Sequence, residues 1–237
     1  MKRVLICVTA LLASVVCATA RDWGVSLGAE AATQYLWRGF AVGKSPTIVP
    51  VLTLNYRKEA FCFEVGYCSV TELQKEHYLE MDLWATAKFK GLTFTALEQG
   101  LGNNLGIGGY KDNLELTLSY ELPLEHLPVS FSWNTFVAGN DFNLDGSRAF
   151  SSYAELKVPC RFNDFSVCAT AGAVPYKSEG IYNNEAGFNF INLSLRTVYT
   201  LKAGELFDLP LYAQYTYNPL FKNHFFVLGF SIMLLSL

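Results

Sequence analysis

After residue 20 this chain has no run of eighteen apolar residues, so it holds no helix able to cross a bilayer. That lack stands beside a hydrophobic share of 51% and a mean hydropathy of +0.21, both high for a water-soluble chain. Histidine is nearly missing: His77, His126 and His224 are the three. Covalent catalysis needs a nucleophile, a base and an orienting group in reach. The best pair on offer is Ser69 with His77 across one loop, with no local signature around it, so an enzyme is not expected. The run Gly100–Gly109 lacks a following Lys-Ser/Thr and is no phosphate cradle; it reads as an external loop able to fold into a mouth or lumen. Basic charge is also short. Without Lys2 and Arg3 the chain carries 16 basic and 21 acidic residues, none clustered, which excludes a nucleic-acid footprint.

Residues 1–20 read as a secretory signal peptide. Lys2 and Arg3 form the basic region, Val4 to Val16 is mostly apolar, and Ala18-Thr19-Ala20 is a cleavage box. A lipid attachment at Cys17 is the alternative, but Val16 stands where a small residue is wanted. Residues 21–237 then form one domain, with no linker or composition shift.

What the chain does have is alternation. Val25 to Phe40 reads as one two-faced strand, with Val25, Leu27, Ala29, Ala31, Tyr35 and Trp37 on one parity and Glu30, Gln34 and Arg38 on the other. It is longer than the half-buried strand of a small domain and suits a tilted strand crossing a bilayer. The pattern recurs to the C-terminus. Phe61, Phe63, Val65 and Tyr67 oppose Cys62, Glu64 and Cys68; Leu79, Met81 and Leu83 oppose Glu80, Asp82, Trp84 and Lys88. Ile191, Leu193 and Leu195 oppose Asn192, Ser194 and Arg196. Twelve such strands are counted, with shorter connections after even-numbered strands, which predicts an all-β, up-and-down antiparallel transmembrane barrel. Aromatic girdles fit it, with Tyr56, Phe61, Phe89, Tyr120, Phe165 and Tyr199 at one rim and Tyr35, Trp37, Tyr67, Tyr215 and Tyr217 at the other. A secreted β-sandwich also alternates, but has no use for aromatics at both ends of its outward faces.

The inward parity is the functional surface. Its pore-lining candidates are the acids Glu30, Glu64, Glu80, Asp82, Glu115, Glu121 and Glu155 and the bases Arg38, Lys88, Lys157 and Arg196. In the run Asp141-Phe-Asn143-Leu-Asp145-Gly146, three oxygen side chains at alternate positions precede a glycine, as in the first half of a Ca²⁺ loop. The acid expected six residues past the glycine is Ser152, so an ion-free Asx-rich turn explains the same letters. Cys62 and Cys68 lie about 20 Å apart along one strand, too far to bridge. Cys160 and Cys168 fall on opposite parities, so no disulfide required by the fold is expected.

The segment Tyr35-Leu36-Trp37-Arg38-Gly39-Phe40, with Gly43, Pro46, Pro50 and Tyr56 and then Phe63 to Ser69, resembles the opening of the TorF-type outer-membrane porin family. The match covers roughly residues 33–70. It implies a Gram-negative outer-membrane β-barrel whose partners are outer-membrane lipid, the barrel-assembly machinery and small polar solutes, with no cofactor. The chain departs from such barrels in ending Leu234-Leu235-Ser236-Leu237 rather than on an aromatic, which would move the assembly signal inward to Phe230. The expected function is a porin-like channel for passive diffusion of small polar solutes or ions, weakly cation-preferring. The alternative is a closed barrel acting as an anchor or adhesin through its external loops.

Overall fold

The computed structural model describes residues 22–74, 78–101, 112–124, 128–203 and 207–237. The proposed signal peptide, His77, His126 and the loop Gly102–Gly109 lie outside them. Twelve antiparallel strands close into a barrel: β1 (Trp23–Ala32), β4 (Thr47–Lys58), β5 (Phe61–Glu72), β6 (Leu79–Phe89), β7 (Leu92–Leu101), β8 (Asn113–Glu121), β9 (Ser130–Ala138), β10 (Ser152–Phe162), β11 (Phe165–Val174), β12 (Asn189–Ala203), β13 (Phe207–Asn218) and β14 (Asn223–Ser236). Each pairs with its neighbours in the chain, and β1 pairs with β14 to close the ring, leaving no unpaired edge. A two-residue hairpin, β2 (Leu36–Trp37) with β3 (Phe40–Ala41), and a one-turn helix α1 (Glu179–Tyr182) sit between wall strands.

Chemistry at the turns sets the register. Lys90 and Gly91 both hold positive φ (47° and 83°), the geometry that turns two twisted strands back in two residues. Such tight turns lie at the end that also carries Trp23 and Ser236; the connections at the other end are mostly longer. The outer wall is apolar. Phe94, Leu118, Phe131, Leu195 and Phe226 each leave 47–65% of their surface exposed, a continuous coat that water would not tolerate and lipid would. At the short-turn rim, Phe61, Phe89, Tyr120, Phe165 and Tyr199 project outward as expected.

Three expectations change. The stretch Val25 to Phe40 is not one strand: β1 ends at Ala32, and the following residues leave the wall and fold inward. Tyr35 and Trp37 therefore do not belong to the outer girdle. Ile191 is not on the lipid face either. A register shift opposite Gly172 and Ala173 makes Ile191 an extra, bulged residue, so Phe190 points out and Ile191 is fully buried in the interior cluster.

Cys62, Cys68, Cys160 and Cys168 are unpaired, as expected. Titration of unfolded mature protein should release four thiols with or without prior reduction. Refolded in detergent, the protein should give a β-rich circular dichroism spectrum and migrate differently on a gel before and after boiling. A helical spectrum would overturn the barrel.

Candidate functional site

The chain leaves the wall at Thr33, whose amide donates to the Leu228 carbonyl at 2.8 Å and whose hydroxyl accepts from the Leu228 amide at 3.1 Å. The hairpin tip is Arg38-Gly39, both at positive φ (48° and 86°). Only glycine fits the second position, because a Cβ there would sit 1.9 Å from the Ile191 carbonyl oxygen. Asn218 Nδ2 donates to the Gly39 carbonyl at 3.1 Å, so the tip touches β12 and β13 across the lumen. Gln34 Nε2 ties the two legs by donating to the Gly43 carbonyl at 2.7 Å. The buried Glu72 carboxylate holds the exit leg by accepting the amides of Lys44, Ser45 and Tyr78.

Arg38 is the latch. Its guanidinium is bidentate to Glu115, with Nη1 2.5 Å from Oε2 and Nη2 2.7 Å from Oε1, and Nη1 also donates to the Tyr182 hydroxyl at 2.7 Å. The cation lies 4.9 Å from the Trp37 ring centre and 4.7 Å from that of Tyr153. Trp37 and Tyr182 stack at 5.5 Å and 4°. With Phe136, Val174 and Ile191 these rings form a compact core inside the barrel near its long-loop end. Burial pushes the Tyr182 hydroxyl above the ordinary phenol range, which keeps it neutral beside the cation.

Loops outside the wall brace this core. Buried Asp141 accepts the Ser151 amide at 2.8 Å and its hydroxyl at 2.6 Å, and the Ser151 hydroxyl bonds to that of Ser178. Glu179 accepts the Leu144 amide at 3.1 Å, joining residues 139–151 to the α1 segment. The candidate Ca²⁺ loop is thus divided. Asp141 is buried on Ser151, while exposed Asp145 accepts the hydroxyl and amide of Ser147, which hold its carboxyl below the usual range. Asn143 Nδ2 donates to Ser147 Oγ. Among the described residues, no three His, Cys, Asp or Glu side chains converge as a metal site would require.

All eleven pore-lining candidates face the interior, but unequally. Glu80, Asp82 and Glu115 are 2%, 8% and 2% exposed. Glu80 is covered by the Tyr78 hydroxyl and by Gln99 Nε2 at 3.0 Å. Glu30, Glu64, Lys88, Glu121, Lys157 and Arg196 are half-buried or exposed, whereas the Glu155 side chain, 12% exposed, is as covered as that of Arg38 at 13%. Arg196 donates to Glu30 at 2.9 Å and lies 3.6 Å above the Tyr212 ring, while Tyr212 donates to Glu30 at 2.7 Å. Trp84 Nε1 donates to Glu64 at 2.9 Å, Lys157 pairs with Glu155 at 2.7 Å, and Lys88 faces Glu121 at 3.8 Å near the short-turn end. Sequence reasoning passed over Glu72 and Tyr182. Glu72 lay on the inward parity of its strand and was findable; Tyr182, in an aperiodic loop, carried no such signal. His224 stacks on Tyr217 and bonds to the Tyr215 hydroxyl.

No protein-family model matches the chain, and no curated protein matches it in sequence. Its fold is similar to that of an outer membrane channel, COG4313, from Pseudomonas putida F1. The crystal structure of that channel aligns at a TM-score of 0.57 and 14% identity over 91% of this chain and 96% of the other. That likeness is one of architecture.

Removing one partner of a buried pair strands the other charge, at a cost of about 3–5 kcal/mol. Glu115→Gln should therefore lower the urea midpoint markedly in detergent-refolded protein. The double variant Arg38→Met, Glu115→Gln should recover part of the loss; if the single variant unfolds like the parent, Arg38 is not the latch.

Proposed function

We propose that this protein is an outer-membrane channel for passive diffusion of small polar solutes or ions, narrowed by its first loop. One observation carries the reading: the lumen is polar and incompletely filled, with half-enclosed spaces of about 190 and 290 Å³ on the walls beside the hairpin. A twelve-stranded ring lies between small barrels filled by side chains and the wide aqueous porins. The resemblance of residues 33–70 to TorF-type porins and the architecture shared with an outer membrane channel support the same reading. In this orientation the short turns face the periplasm and the long loops the exterior. The apolar coat meets outer-membrane lipid, and assembly falls to the barrel machinery.

A weak cation preference follows from the inward set as a whole, seven acids against four bases. Wall charges in so narrow a passage act within about a Debye length of 8 Å. The interior aromatic core supports the second reading, a closed barrel serving as anchor or adhesin, and conductance separates the two.

In planar bilayers the refolded protein should conduct with small, weakly cation-selective steps. Replacing residues 34–45 by a short Gly-Ser link should enlarge the steps. Glu64→Gln with Glu121→Gln should reduce the cation preference at low salt and matter little at about 1 M, where screening shortens to roughly 3 Å. Folded protein that never conducts belongs to the anchor reading.

A further inference from the structure

Three aromatic side chains of the inner wall lie on glycines of a neighbouring strand. A Cβ at Gly172 would stand 1.9 Å from the Tyr153 hydroxyl, and one at Gly229 would stand 2.4 Å from the Tyr212 ring. One at Gly66 would meet three adjacent atoms of the Trp84 indole at 2.0, 2.2 and 2.7 Å. Only a strand glycine admits so close an approach. Gly66 and Trp84 are direct partners across β5 and β6, on the inward parity. Such similar distances to adjacent ring atoms place the indole over the glycine, flat on the wall, with its other face toward the lumen.

Two of the three rings are taken. Arg38 lies 4.7 Å from the Tyr153 centre and Arg196 lies 3.6 Å from that of Tyr212. No ring or cation among the described residues meets the Trp84 indole, and the residue is only half-buried. A bare π face is left in the lumen.

Its edge is polar. Two residues along β6 toward the short-turn end stands Thr86, in one register row with Glu64 and Asn55. Strands lie about 4.8 Å apart and alternate residues on one face about 7 Å apart, the scale of one ring sugar. Trp84 Nε1 donates to Glu64 Oε1 at 2.9 Å, which fixes the ring and leaves Oε2 without a donor among the described residues. The Asn55 amide likewise has no partner among them, and Thr86 shares one hydrogen bond with Thr95 at 2.9 Å. Asn55, Glu64 and Thr86 are half-buried, and their free polar atoms are open to water. The row therefore offers amide donors, a carboxylate acceptor and a hydroxyl that can do either.

A solute that uses both parts has an apolar face and a hydrogen-bonding rim. The face of an aromatic ring is negative and draws the weakly positive C–H bonds of a pyranose, while the sugar hydroxyls, each donor and acceptor, meet the row. A simple ion has no use for the indole, and an aliphatic chain leaves the row without partners.

We infer that Trp84, Asn55, Glu64 and Thr86 form a sugar-binding platform on the lumen wall, for pyranosides whose equatorial hydroxyls leave a C–H face free. This rests on the channel reading for how the sugar arrives, not for how it is held. Contact is weak and rapidly reversible, as passage demands.

Saturation-transfer NMR on the mature protein tests the platform apart from conductance, in a polyoxyethylene detergent that carries no sugar head group. The probe is methyl β-D-glucopyranoside. Sorbitol offers the same hydroxyl chemistry on an open chain, and choline offers a cation to the π face and the carboxylate. The glucoside should bind about tenfold or more tighter than sorbitol, with transfer strongest to its C–H protons. Trp84→Leu should cost about tenfold, Trp84→Phe should keep most of the affinity because a ring remains, and Thr86→Val should cost roughly threefold or more. A glucoside bound no tighter than sorbitol, or less tightly than choline, overturns the platform on the parent protein alone, whether or not Trp84→Leu folds. Folded Trp84→Leu that binds the glucoside unchanged does so too. Sugar binding without bilayer conductance keeps the platform and removes the channel. Conductance without sugar binding does the reverse.

Discussion

One buried cation organises the interior. A guanidinium taken out of water is affordable only when its charge is answered and its donors are used. Arg38 meets both conditions through Glu115, Tyr182 and the faces of Trp37 and Tyr153. Those partners come from β2, β8, β10 and α1, so the requirement of one side chain fixes the hairpin, a loop helix and two walls at once. The tip glycine belongs to the same requirement, since a Cβ at Gly39 would run into the Ile191 carbonyl and push the tip, with Arg38, away from Glu115.

The barrel divides its charges by accessibility as well as by sign. Glu72, Glu80 and Glu115 are inward but covered, and they hold parts of the protein: the exit leg, the Tyr78–Gln99 network and the latch. Water meets a more balanced remainder in which acid and base sit side by side. A simple tally of inward residues therefore overstates the field that an ion in the passage feels.

Period-two alternation made the closed ring, the strand count and the inward parity legible, because a wall between lipid and polar interior imposes it at every residue. It failed where that constraint lapses. Tyr35 and Trp37 continue the alternation of β1 in letters, but two aromatics can face a lumen cluster as well as lipid. The Arg38-Gly39 pair is a turn signal that the run of alternating residues masked. Ile191 changed faces through a bulge, which leaves no mark in hydrophobicity. Trp84 had only its parity to offer; the glycine under its ring comes from another strand.

The inward hairpin also constrains the order in which this chain can become itself. It is made early in the sequence, between β1 and β4, yet its contacts lie 77 residues on at Glu115 and 144 residues on at Tyr182. The seam between β1 and β14 joins the first and last strands of the ring. Contacts of such long range form late, because loop-closure entropy precedes their reward. The hairpin's cation is therefore unanswered until the later strands have curled round to it. Both its ends leave the wall at one mouth of the barrel, where Ala32 pairs with Thr47, so latching completes the interior rather than starting it.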